Sequence, residues 1–269
     1  MKKPTMQTFQ MGDNLDGTAR SMPVHTVRLS PFSMSATEVN LAEWKEVLAW
    51  ASAHGYKIPK GATGKGPKYP VTNVTWYSAV LWCNARSEMC GLRPCYYTDA
   101  KHTKVYRSGK VDITPAMVDW TADGYRLPTE AEWECAARCG NHGLRFPWGD
   151  TIIHSQANYY ASPIHFVWDR ESKPGTNPKA GKVNPRTLPC GWGPTHDFAG
   201  NVEEWVWDWY GPYTTESAAD PRGPIKGIYR VRRGGSWLSK ANRCTVYARN
   251  PVRPGSANSE VGFRVCQTA

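Results

Sequence analysis

Apolar residues recur at the spacing of one helix face in EVNLAEWKEVLAWASAHG. There Leu41, Trp44, Val47 and Leu48 line up and Gly55 supplies a stop. This predicts a first helix, and TWYSAVLWCNARSEMCG predicts a second that ends at Gly91. A shorter third opens in PTEAEWECAARCG, where Thr129 is a natural N-cap and Glu132 completes a capping box. Elsewhere the pattern breaks into short strand-like runs between turns: VHTVRLSPFSM, PCYYTD with KVYRSG as a hairpin, YRVRRGGSW and GFRVC. With 24 Gly and 21 Pro and no internal repeat, the chain reads as α+β with little regular structure.

Composition sets outer bounds. A chain of 269 residues, 40% hydrophobic and 21% charged, buries a real core as one large domain or two small ones. Neither a membrane span nor a signal peptide is legible: no apolar run approaches the length of a span, and MKKPTMQTFQMGDN has lysines without an apolar core behind them. Localisation stays open, because a removed export signal or lipid anchor would leave the same sequence. The formal charge of +10 suits acidic partners or phosphate backbones. Apart from YRVRRGG and PKGATGKGPK, however, the basic residues are scattered, which points to solvated surface charge and away from nucleic acid.

Eight cysteines stand at Cys83, Cys90, Cys95, Cys135, Cys139, Cys190, Cys244 and Cys266, with no paired C-x-x-C motifs for structural zinc. Cys135 and Cys139 are spaced to share one helix face as small apolar core residues. One or two disulfides are open, with no pairing legible.

Longer motifs are more specific. FQMGDN, PVHTVRLSPFSMSATEVN, PVTNVTWYSA, YRLPTEAEWECAARCG, FPWGD, ANYY, HDFAGNVEEWVWDWY, RVRRGGSW and VGFRV occur in the order found in the formylglycine-generating-enzyme domain family. The chain resembles that family from about Phe9 to Val265. The resemblance implies one C-type-lectin-like domain over residues 1–269, loop-rich, with paired antiparallel strands late in the chain and two main helices packed on them. On that fold Trp133, Trp148, Trp205, Trp207 and Trp209 are packing anchors rather than a substrate platform.

The copper oxidases of this family hold the metal with two cysteines, five apart, just after the GGS frame. Here those places fall on Ser239 and Cys244. A serine hydroxyl stays protonated and is a hard, poor donor for Cu(I), so the expectation is no copper and no catalysis, with Cys244 a buried apolar residue on the strand after the loop. Iron-dependent relatives use a histidine cluster. His25, His54, His102, His142, His154, His165 and His196 offer no H-x3-H or H-x-H spacing.

A second resemblance fits the C-terminal region. The variable proteins of diversity-generating retroelements share the fold, and their hypervariable segment is similar to residues 233–265 here. The frame is Gly234, Gly235, Ser236, Trp237, Ala241, Cys244, Arg249, Pro254, Gly262, Phe263 and Arg264. Between these posts stand Leu238, Ser239, Lys240, Arg243, Tyr247, Ala248, Asn250, Pro251, Val252, Arg253, Ser256, Asn258, Ser259 and Glu260, a chemical mixture with no strand or helix period. The resemblance implies a non-catalytic ligand-binding protein, diversified by a retroelement, with Trp237 and Tyr247 as rigid hot spots and Arg243 and Arg253 as charged anchors. Its partner would be a protein or other macromolecule at a surface, and the chain a monomer, exported or held at the cell surface by an anchor outside this sequence. The rival readings are a degenerate copper-oxidase relative, whose loop is merely irregular, and a fixed structural or accessory subunit.

The family resemblance also implies a structural Ca2+ in HDFAGNVEEW, held by carboxylates of Asp197 and Glu204 and carbonyls of Gly200 and Val202. The alternative is that Asp197 and Glu204 cap and salt-bridge the turn. Glu203 stands where the family has an aromatic residue.

Overall fold

In the computed structural model, which describes residues 6–269, the three helices form where local signals place them. Helix α1 (Leu41–Ala53) starts at Asn40, whose side chain accepts from Glu43 N while Glu43 accepts from Asn40 N. Helix α2 (Trp76–Met89) is capped by Thr75 and buries Trp76 through Ala85 without a break, so it runs inside the core. Helix α3 (Glu130–Arg138) carries the capping box of Thr129 and Glu132. Cys135 is buried, but Cys139 turns away in a left-handed C-cap at φ 48° and is exposed. The two cysteines therefore do not share a face, because the helix ends between them.

The strands are short: β1 (Gln7–Met11), β2 (His25–Leu29), β3 (Phe32–Met34), β4 (Tyr160–Ala161), β5 (Gly175–Thr176), β6 (Glu203–Trp209), β7 (Ala218–Ala219), β8 (Arg230–Arg233), β9 (Asn250–Val252), β10 (Val261–Phe263) and β11 (Cys266–Thr268). The central sheet has the order β10-β6-β8-β9. The late strands pair antiparallel, β6 with β8 and β8 with β9, as expected, and β10 adds to β6 in parallel. Every residue of β6 is buried, although its sequence alternates Trp205, Trp207 and Trp209 with Glu204, Val206 and Asp208 in the period of a strand. PCYYTD and KVYRSG meet through a single isolated bridge, Tyr97 to Val105, instead of a laddered hairpin. The Asn84 side chain enters between them, donating to the carbonyls of Tyr96 and Tyr106 and accepting from Tyr96 N.

The main core joins α1, α2, β6 and β10 through Trp44, Trp76, Trp82, Trp205, Trp207 and Phe263. Trp133 and Trp209 are also buried, and Trp148 is half-buried and stacked on Phe146. These tryptophans are packing anchors. The RLPTEAEWE string is equally structural, since its acids each take an arginine. Arg126 grips Glu132 with two bonds of 2.7 Å, Arg249 binds both oxygens of Glu130, and Arg233 reaches Glu134 at 2.5 Å. Such charge-assisted pairs tie α3 to β8 and to the approach to β9, which positions the C-terminal segment. Among the described residues no helix is long and apolar enough to cross a membrane.

Candidate ligand-binding surface

The frame of the C-terminal segment is fixed by close backbone packing. Gly235 sits at φ 72°, and a Cβ there would meet Cys244 Sγ at 2.7 Å and the Arg243 carbonyl at 2.9 Å, so only glycine fits. Trp237 N donates to the Asn201 carbonyl, and its ring Nε1 donates to the Ser259 carbonyl. Ser236 donates to Glu260 at 2.7 Å, and Glu203 N donates to the Glu260 carbonyl. Asn250 Nδ2 donates to Glu203 at 2.6 Å, beside the Arg232–Glu203 pair at 3.2 Å. Residues 236–240, 250 and 258–260 are thus gathered where β6 begins and β8 ends. Phe263 packs edge-on against Trp44 and Trp82, and Ala241 and Cys244 join Phe146, Ile152 and Tyr159 in a second cluster.

The contents divide by exposure. Leu238, Lys240, Arg243, Arg253, Ser256 and Asn258 are exposed, while Ser239, Asn250, Pro251, Val252, Ser259 and Glu260 are half-buried. Trp237, Tyr247 and Ala248 are buried, which corrects their expected place on the surface. Trp237 lies under the loop it anchors. Tyr247 packs with Trp133 and Phe198 while its hydroxyl donates to Asp16, and burial raises that hydroxyl's pKa. Asn242, exposed in the short turn Ala241–Arg243, was missed, although its place between Lys240 and Arg243 was the available signal. Also missed was the stretch that begins with β4: Tyr160 N donates to the Ser239 carbonyl at 2.9 Å, so a segment outside 233–265 adjoins the same surface.

The positions of the copper cysteines do not fit a soft metal. Ser239 Oγ lies 3.2 Å from Ser236 Oγ, and the Cys244 thiol is sealed in the core, where burial pushes its pKa up. Cys244 is buried as expected, but it follows a helical turn, not a strand. All eight cysteines carry free thiols.

At the calcium positions the carboxylates already have partners within the protein. Both Glu204 oxygens are bonded to Arg264, at 2.6 and 2.7 Å, and Oε2 also accepts from Trp133 Nε1. Asp197 accepts from Gly191 N and from Gly193 N at 3.3 Å. A cation between them would face the Arg264 guanidinium. Glu38 lies alongside: burial and the Asp197 charge raise its pKa well above the carboxylate range, and burial raises Asp197. Glu38 Oε1 accepts from Asn201 Nδ2 at 3.1 Å, and its Oε2 has no hydrogen-bond partner. Gly200 is required by contact, since a Cβ would fall 2.2 Å from the Asn158 carbonyl oxygen, and Val202 is buried. Among the described residues no group of three or more His, Cys, Asp or Glu is arranged to hold a metal.

Comparison with known proteins agrees with this architecture. Residues 4–269 match the sulfatase-modifying factor enzyme 1-like domain. The formylglycine-generating enzyme of Streptomyces coelicolor is 34% identical over 289 residues, covering 97% of this chain and 87% of that protein. Chaperone protein LppX of Paenibacillus barcinonensis is 28% identical over 261 residues, covering 90% of this chain and 82% of its own length. Among solved structures, Treponema denticola variable protein 1 superposes with a TM-score of 0.69 at 30% identity, covering 98% of this chain and 95% of that one. The chain belongs to the formylglycine-generating-enzyme family of sulfatase-modifying factor enzyme 1-like domains, with the α+β fold of that family.

Proposed function

We propose that the chain is a non-catalytic ligand-binding protein whose C-terminal segment, diversified by a retroelement, presents a variable surface to macromolecular targets. The observation that carries this reading is the division of one short segment into buried posts and exposed contents: Trp237, Cys244, Phe263 and Arg264 are sealed in the core, while Leu238, Lys240, Arg243, Arg253, Ser256 and Asn258 reach solvent. Side chains in the second set change without entering the core, so binding varies while stability holds. The likeness to a variable protein supports the reading. The targets are proteins or other macromolecules, met as a monomer at the cell surface or outside the cell.

The chemistry argues against copper turnover, because one sealed thiol and a hydroxyl replace two accessible thiolates. Protein loaded with Cu(I) is expected to form no formylglycine in a sulfatase-type peptide; formylglycine lost on Cys244→Ala would restore an oxidase. A fixed accessory subunit is the second reading, favoured by the identity to a protein named as a chaperone. Sequencing the gene and its flanking DNA in many cells separates the two. A near-copy of codons 234–264, differing mainly at adenines and followed by a reverse transcriptase, is the expected result. An invariant segment with no such copy would favour the accessory subunit.

A further inference from the structure

A cleft of about 420 Å³ opens beside the variable segment, with Tyr160, Ile164, His165 and Pro174 on one wall and Leu238 and Lys240 on the other. The first wall lies outside residues 233–265. It is tied to the segment by the Tyr160 N to Ser239 carbonyl bond, and Phe166 and Trp168 pack on the cluster that contains Ala241 and Cys244. Its apolar side chains face solvent: Ile164 is 82% and nearby Val167 79% exposed, against 46% for Leu238 across the cleft. Ile164 and Leu238 thus bring exposed aliphatic surface to one opening, where an apolar partner group can cover it.

The rim decides the partner's charge. Arg170, Lys173, Lys240 and Arg243 are exposed on the bordering stretches. The carboxylates of those stretches are committed inward: Asp169 is buried and accepts from Tyr159 Oη and Ser162 N, and Glu171 accepts from His154 N. No carboxylate lines the cleft. We propose that Tyr160, Ile164, His165 and Pro174 form a constant wall of the binding surface, and that the cleft takes an aliphatic or aromatic side chain from an acidic polypeptide. The constant wall supplies apolar affinity common to all variants, and Leu238 and Lys240 tune the choice of partner. This inference rests on the ligand-binding reading above.

The test is selection of a phage-displayed random peptide library on the whole chain, followed by affinity measurements of the selected peptides for wild type, Ile164→Asp and Leu238→Asp. Both residues are exposed, so melting curves are expected to stay unchanged. Expected binders carry Asp or Glu around a Leu, Ile, Phe or Trp, and each substitution weakens them by about tenfold or more, as placing a carboxylate in an interface centre does. Loss through Leu238→Asp alone would overturn the constant wall and leave the variable surface standing. Loss through Ile164→Asp alone would uphold the wall and count against the variable reading. Binders indifferent to both, binders without acidic residues, or no binders at all would overturn the proposal.

Discussion

Trp237 and Leu238 are chain neighbours with opposite surroundings, 5% against 46% exposed. Truncating a buried aromatic side chain removes about 3 to 5 kcal/mol, so Trp237→Ala, Tyr247→Ala and Phe263→Ala are each expected to lower unfolding free energy by that amount in urea titrations. Alanine at Leu238, Lys240 and Arg243 is expected to stay within about 0.5 kcal/mol per site. Equal costs for the two sets would contradict the division. The sequence motif identified Phe263 as a post and gave Trp237 both as a post and as a contact residue, of which burial supports the first. Tyr247 was misplaced because its partner, Asp16, is 231 residues away and no local pattern announces it.

At the scale of elements, the capping box of α3 was legible because Thr129 and Glu132 are three residues apart and act on each other. The arginines that meet Glu130 and Glu134 were not, since Arg233 and Arg249 arrive from β8 and the run before β9, about a hundred residues on. Strand β6 carries a strand's alternation in Trp205, Trp207 and Trp209, but its Glu204–Arg264 pair was not legible, because 60 residues separate the two. Replacing one member of such a pair strands the other charge in the core. Arg264→Ala is therefore expected to cost about 3 to 5 kcal/mol. Because Glu204 is occupied by Arg264, the melting temperature is expected to be the same with and without excess chelator. A fall on chelation would show that a divalent cation, not the guanidinium, serves that carboxylate.

For the molecule as a whole, stability is linked to pH through Asp208, which lines a small pocket together with Glu130 and Arg249. Asp208 is fully buried, and desolvation, with the neighbouring Glu130 charge, raises its carboxyl from 3.8 to about 8. Glu130 itself stays ionised: burial opposes that, but Arg249 and Arg233 outweigh it. The folded state then holds a proton that the unfolded chain releases near pH 4, so the stability gained from protonated Asp208 is complete below that pH and is lost as pH rises through about 8. Melting temperature is expected to fall between pH 5 and about 8, and Asp208→Asn is expected to flatten that slope. A wild-type profile with no slope in that window would contradict the assignment. The central claim, that one scaffold carries exchangeable contacts, is tested most directly by randomising Leu238, Lys240, Asn242, Arg243, Arg253, Ser256 and Asn258 together and measuring melting and target binding of sampled variants. Most variants are expected to melt near the parent while selection yields binders for different targets; widespread unfolding, or folded variants that all keep the parent's partner, would contradict it.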